Sequence, residues 1–229
     1  MVEAHRSEEQ AAAIADSRRR YARKRAAEQE VWAKADALPL DPEHFFPWFR
    51  RVSEQSWEHM VPGPSYGYQI QQGTRWLPGL SETEIEAYEL EMGFRFPPIY
   101  RAFLRHMNGT DKPAVNVYGY SGLDYAYGPG FYAYPRNLDK VREMINWIYE
   151  DNGLTHERVE QEGIPRFMPI IAHRCLIVDR CARHPVLSMY GNDVVFWSTC
   201  LQRFLASHLF GTDPGDEDES SMQVPFWLR

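Results

Sequence analysis

The sequence predicts an α+β fold, a mostly antiparallel central sheet flanked by helices, with an N-terminal helical extension. Three observations carry that expectation. Two helices with their start and stop signals intact lie between Gly79 and Thr110. A set of consecutive, tightly turned strand-like runs follows between Phe167 and Trp197, with further helices before and after it. The 229 residues are 44% hydrophobic and 14% aromatic, enough for one well-cored domain with an appendage and short for two.

In chain order, residues 7–37 read as a single Ala/Glu/Arg-rich helix. Its sparse apolar positions (Ile14, Tyr21, Val31, Trp32) make a weak packing stripe. A basic run, Arg18 to Arg25, is followed closely by Glu28 and Glu30, the pattern of a solvated face. The expected domain boundaries are residues 1–37 for this extension, 38–212 for the body and 213–229 for an acidic tail with an apolar end.

The dense apolar region opens with a helix from about Asp41 to Met60. A Pro/Gly loop and a short strand over Tyr68–Gln72 are expected next. Ser81 and Glu84 form a capping box, Leu80 and Ile85 a hydrophobic staple, and Gly93 a left-handed helix stop. Pro97-Pro98 opens a second helix with the apolar stripe Tyr100, Phe103, Leu104 and Met107, closed by Asn108-Gly109. Val115–Tyr118 reads as a strand, followed by a Gly/Tyr-rich loop and a helix through Leu138, Val141, Ile145 and Ile148 that stops at Asn152-Gly153. Phe167–Asp179 reads as one long extended run, and Pro185–Tyr190 and Asp193–Trp197 as a hairpin turning at Gly191-Asn192. Ser198 should cap the last helix, and Val224–Leu228 is apolar enough to dock back on the body.

Leu80, Ser81, Ile85, Glu89, Gly93, Phe96, Pro97, Tyr100, Phe103, Leu104, Asn108 and Gly109 together resemble the signature of the SUKH superfamily. Phe96 stands where the family usually has leucine, and a looser echo runs from Met168 to Phe210. The superfamily includes a fungal cell-wall-synthesis regulator and many bacterial immunity proteins of toxin systems. The resemblance implies a central sheet flanked by helices and a binding module rather than an enzyme. A protein partner such as a toxin domain follows as the expectation, with an intracellular regulatory scaffold as the other binding reading.

Composition excludes several classes. The N-terminus has early charges and no apolar core of a secretory signal, and no apolar run approaches a membrane span. Three cysteines argue for a reducing compartment, so the expected location is cytoplasmic. Residues 1–37 carry eight Lys/Arg and seven Asp/Glu, against totals of 25 and 32, which leaves 17 and 25 for residues 38–229, a net of −8. Such a body disfavours nucleic acid and suits a basic partner, although many proteins are acidic simply to stay dissolved.

Catalytic patterns are missing: G-x-S-x-G, H-E-x-x-H, G-x-x-x-x-G-K and G-x-G-x-x-G do not occur. No catalytic residue and no cofactor are expected. His173, Cys175, Cys181 and His184 are the one set with zinc-binding chemistry, but their spacing departs from paired knuckles. Cys175 reads equally as core. The stretch Tyr118–Tyr134 sets tyrosines among Gly and Ser with Asp124 and no Lys or Arg, the composition of an adaptable protein-recognition surface. Candidate contacts are therefore Tyr120, Asp124, Tyr125, Tyr127 and Tyr132, with Asp193 nearby. The competing reading packs these tyrosines on the sheet.

Overall fold

The computed structural model describes residues 41–60, 62, 67–119, 122–210 and 222–228, with Ala15 and Arg19, and of 118, 119, 122–125 and 210 the backbone alone. The chain divides into two compact units, Met1–Pro39 and Leu40–Arg229. In the first, Ala15 and Arg19 are helical, and the Arg19 Nε–H donates to the Ala15 carbonyl one turn back, at 3.5 Å. The rest of the helix expected over 7–37, including most of its basic run, lies outside the described residues.

The second unit holds six helices and two antiparallel sheets among its described residues, the α+β class that the sequence predicts. Helix α1 (Pro42–Trp57) has Pro42 in its first turn and buries Phe45, Phe46, Phe49, Ser53 and Trp57. Positions 45, 49, 53 and 57 recur every four residues and form one stripe. That stripe meets Trp76, whose ring lies 6.1 Å from Phe49, 5.2 Å from Trp57, 4.5 Å from Phe131 and 6.0 Å from Phe103. The Trp76 indole N–H would be a costly orphan there. It donates instead to Ser53 Oγ at 2.7 Å, and the Ser53 hydroxyl donates to the Arg50 carbonyl.

Helices α2 (Glu82–Met92) and α3 (Pro98–His106) form as their caps predict. The Ser81 Oγ accepts from the Glu84 N–H at 3.3 Å, and the Glu84 carboxylate accepts from the Ser81 N–H at 2.8 Å. Leu80 and Ile85 are both buried, and Gly93 ends the helix at φ 76°. Gly79 has a different reason to be glycine. A Cβ there would lie 1.8 Å from the Arg105 carbonyl oxygen, so only a bare Cα lets this segment run against α3, where the Leu80 N–H donates to the Leu104 carbonyl at 2.8 Å.

Glu89 locks the two helices together from inside. It is 3% exposed. Its carboxylate accepts from the Phe96 N–H at 2.8 Å, from Arg101 at 2.6 Å and from Arg95 at 2.6 Å. Burial pushes this carboxyl up, but Arg101, the Phe96 N–H and Arg95 together outweigh it and hold it below the ordinary carboxylate value. Asn108 does similar work at the far end of α3, donating to the Tyr134 carbonyl at 2.6 Å and accepting from the Tyr134 N–H at 2.8 Å. It does not cap α3, whose C-cap is Met107.

Strand β1 (Pro113–Gly119) pairs antiparallel with β2 (Gly122–Pro129). The Gly/Tyr-rich loop expected here is thus largely a strand. Its glycines and tyrosines depart from regular pairing through two register shifts instead of breaking the ladder. The short strand expected at Tyr68–Gln72 is reduced to one bridge, Gln69 to Val115. Helix α4 (Leu138–Asp151) matches its apolar pattern, and a six-residue helix α5 (His156–Gln161), capped by Thr155, follows without having been expected.

The four-stranded sheet has the order β3-β4-β5-β6: β3 (Phe167–Ile171), β4 (Arg174–Ile177), β5 (Val186–Tyr190) and β6 (Asp193–Ser198). The long run expected over Phe167–Asp179 is two strands, because the chain reverses at Ala172-His173 with Ala172 at φ 47°. Helix α6 (Leu201–Phe210) starts after Cys200, and Ser198 closes β6, its hydroxyl donating to the Cys200 carbonyl at 3.2 Å. The C-terminal segment docks as its apolarity suggests. Trp227 is buried, its indole N–H donating to the Pro165 carbonyl at 2.7 Å and its ring 5.5 Å from Phe167.

Glu89→Ala should lower unfolding free energy by about 3 kcal/mol, because two guanidinium groups and one N–H lose their acceptor together. Glu86→Ala, exposed on the same helix, should stay within about 0.5 kcal/mol. Glu89 is held below its unfolded value, so the stability it contributes is present above that value and is lost as pH falls through it. Urea unfolding from pH 7 down to pH 3 should therefore show a gentler loss of stability in Glu89→Gln than in the parent, and parallel curves would contradict this role.

Candidate functional site

Directly opposed residues of an antiparallel ladder share a face. Arg174 of β4 opposes Ser188 of β5, Ser188 opposes Val195 of β6, and Tyr190 opposes Asp193. With the period of two, one face of the sheet presents Arg174, Ser188, Tyr190, Asp193 and Val195, and Trp197, at a register shift between Phe196 and Ser198, joins it by stacking on Arg174. The opposite face carries Cys175, Leu187 and Met189, all buried in the core.

Part of the first face is open. Tyr190 is 63% exposed, Val195 45% and Trp197 42%, among the largest exposed apolar side chains described. Its groups are held by neighbours rather than hanging free. The Arg174 guanidinium lies 3.6 Å from the Trp197 ring centroid and donates to Ser188 Oγ at 2.6 Å. Tyr190 stands edge-on to Trp147 at 5.1 Å and to His173 at 5.6 Å. Burial, then the neighbouring Arg174 charge, lower the His173 pKa, against the opposing pull of Asp193.

The aromatic surface continues onto the two-stranded sheet. Tyr68 packs on Tyr127 at 4.8 Å, and a Cβ at Gly128 would lie 2.8 Å from the Tyr68 ring. Burial raises the Tyr68 phenol pKa, and Tyr127 and Tyr190 raise it further, so the Tyr190 phenol belongs to the same neighbourhood. Preordered tyrosine and tryptophan beside an arginine make the composition that dominates protein-recognition hot spots.

Of the contacts expected from sequence, Tyr127 is exposed at 41% on this surface and Asp193 is exposed on β6. Tyr120 lies outside the described residues, and so do the side chains of Asp124 and Tyr125. Tyr132 is inside the fold, 8% exposed, with its hydroxyl donating to the Ala172 carbonyl at 3.3 Å, so it packs and does not form surface. Tyr68, Tyr190, Trp197, Arg174 and Val195 were missed. The available signal was Asp-Val-Val-Phe-Trp-Ser over 193–198, which puts large apolar groups on both faces of the last strand before a helix.

The cysteine and histidine set does not converge. Cys175 is fully buried, and burial pushes its thiol far up, away from the thiolate a metal requires. His173 sits in the β3–β4 turn, Cys181 Sγ faces the Gln223 carbonyl at 3.6 Å, and His184 Nδ1 faces the Ile177 carbonyl at 3.1 Å. Among the described residues no three His, Cys, Asp or Glu side chains could hold one metal ion. A groove of about 780 Å³ beneath the β5–β6 hairpin runs past Asn152, Val194–Phe196 and Phe226–Leu228. Its one ionisable lining side chain, Arg158, is engaged by Glu162 at 2.6 Å.

The fold and this surface define an α+β domain with a preordered aromatic face. The SMI1 / KNR4 family (SUKH-1) profile matches residues 79–206, more than half of the chain, and the chain belongs to that family. The family includes toxin-immunity proteins and fungal regulators. Comparison with curated proteins and with solved structures gave no significant match. No helix among the described residues is long and apolar enough to cross a membrane.

Purified protein analysed for metals by mass spectrometry should contain far less than one zinc per chain; stoichiometric zinc lost in a Cys181→Ser, His184→Ala double variant would reinstate the metal reading.

Proposed function

We propose that this chain is a non-catalytic protein-binding module, an immunity protein that neutralises a cognate toxin by stoichiometric binding. Family membership supports the class of function. The observation that carries the reading is the exposed, preordered surface of Tyr127, Tyr190 and Trp197 on two sheets. Rings fixed by Trp147, His173, Arg174 and Tyr68 lose little further entropy on binding. In this reading the protein acts in the cytoplasm, where it would meet an incoming toxin domain.

The surface mixes charges: Asp193 is exposed and Arg174 lies against Trp197. The net acidity of residues 38–229 would steer a basic partner toward the molecule, and the rings would hold it. Boundaries follow from the same reading: residues 38–212 form the binding domain, 1–37 an extension and 213–229 an acidic tail.

Co-expression with the toxin encoded beside its gene should restore growth, and the two chains should co-elute at one to one. The double variant Tyr127→Ala, Tyr190→Ala should weaken the complex by about 30-fold or more, since two hot-spot truncations are removed together. Its thermal melt should match the parent's. Protection without a complex, or protection at a large excess of toxin, would overturn stoichiometric neutralisation; full affinity in the double variant would remove this surface from the interface.

A further inference from the structure

Strand β6 is an edge of its sheet: among the described residues it pairs with β5 alone. Edge strands normally guard themselves with Lys, Pro or a bulge aimed at the open side. The sequence of β6, Asp193-Val194-Val195-Phe196-Trp197-Ser198, has no Lys, Arg or Pro, and its one register shift against β5 falls at Trp197, between Phe196 and Ser198, which leaves Asp193–Phe196 regular. Its sheet-face residues Val195 and Trp197 are nearly half exposed. Beside them Arg174 is half-buried, stacked on Trp197 and bonded to the neutral Ser188 hydroxyl. No carboxylate among the described residues makes an ion pair with it, unlike Arg101, Arg166 and Arg180. A partly desolvated cation next to a strand edge that is regular over Asp193–Phe196 and free of Lys and Pro calls for an approaching carboxylate.

A second copy of the same strand supplies one. Antiparallel pairing of β6 with β6 of another molecule has its two-fold axis perpendicular to the sheet, so both copies turn the same face to the same side. Opposed residue numbers then share parity, and the axis must pass through a residue. With the axis at Val195, the two Val195 side chains meet, and Asp193 of each copy comes to the level of Trp197 of the other, the residue at the register shift whose ring carries the Arg174 guanidinium. With the axis at Val194, Asp193 would face Val195, an apolar group with no cation. With the axis at Phe196, Asp193 would fall opposite Thr199, beyond the strand. One register alone gives both copies an apolar centre and an anion for each arginine.

We infer that β6 pairs with β6 of a second copy about a two-fold axis at Val195, joining two four-stranded sheets into one of eight strands, with Asp193 of each copy facing Arg174 and Trp197 of the other. The edge contact is small, so the dimer is reversible and depends on concentration. It has Val195 at its centre and shares Trp197 and Arg174 with the partner surface proposed above, whose other rings are Tyr127 and Tyr190, so self-association and toxin binding would compete for that edge.

The test uses the full chain. Sedimentation velocity over a hundredfold range of concentration should show a monomer–dimer equilibrium that Val195→Lys shifts to monomer with an unchanged thermal melt. Asp193→Arg should do the same by facing one cation with another. In a background with Cys181→Ser and Cys200→Ser, Val195→Cys should give a disulfide-linked dimer under mild oxidation. Opposed Cα atoms at the axis lie about 4.5–5.5 Å apart, within disulfide reach. Asp193→Cys should not cross-link, because in this register its two copies are displaced by about 13 Å along the strands. A monomer at every concentration overturns the proposal. Cross-linking at position 193 in preference to 195 overturns the register. Loss of toxin binding in Val195→Lys with no change in self-association assigns the edge to the toxin and overturns the dimer, leaving the proposed neutralising function intact.

Discussion

The reversal at Ala172-His173 sets how β3 and β4 pair, and through them the register of the remaining sheet. Ala172 takes a left-handed conformation at φ 47°, which costs a non-glycine residue about 1–2 kcal/mol. Neighbours hold it there: the Tyr132 hydroxyl donates to the Ala172 carbonyl, and the Met189 N–H donates to the His173 carbonyl at 2.9 Å. A slip of one residue would exchange the two faces of β4. Cys175 would then move to the face that Arg174 now occupies, and Arg174 would enter the core. The aromatic surface therefore exists because a buried tyrosine supports a strained turn.

The family motif is best understood as stitching. Ser81 and Glu84 close one helix start, and Gly79 lets the preceding segment touch α3. Glu89 holds Phe96, Arg95 and Arg101, while Asn108 clasps both backbone groups of Tyr134. Each of these residues satisfies a buried polar group or permits a close approach, and none of them lies on the aromatic face. The motif thus specifies the frame and leaves the aromatic face free to vary, which suits a family with both immunity and regulatory members.

Local chemistry explains which parts were legible in the sequence. The capped helices α2 and α3, the α4 stripe and the β5–β6 hairpin all carry their signals within a few residues, and all were readable. What needed partners across the chain was not. Strand β2 reads as a loop because its glycines and tyrosines suit turns, and only pairing with β1 makes it a strand. Tyr132 and Tyr127 look alike in sequence, but tertiary packing buries one and exposes the other. The aromatic surface also draws on Tyr68, Tyr127, Trp147, Tyr190 and Trp197, five positions spread over 130 residues. Period-two reading of β6 shows apolar groups on both sides, yet nothing local says that this strand would end the sheet.

Net charge is a poor guide to what such a surface binds. Many of the acids are paired with arginines inside the molecule, Glu82 with Arg101 and Arg105, Glu89 with Arg95 and Arg101, Glu160 with Arg180, Asp179 with Arg166, so the net charge does not say where a free charge stands. Apart from the buried Glu89 cluster, exposed pairs such as Glu82 with Arg105 are screened and each contributes at most about 1 kcal/mol. They stabilise the frame slightly and offer a partner little. Recognition depends on charges left uncompensated next to apolar area that a partner can desolvate. On the described surface that combination occurs at Arg174 and Asp193, on either side of Val195 and Trp197. At this face the two opposite charges come from different strands, Asp193 from the edge strand β6 and Arg174 from the interior strand β4 reaching over to Trp197, and that placement is a property of the fold that a count of acids does not carry.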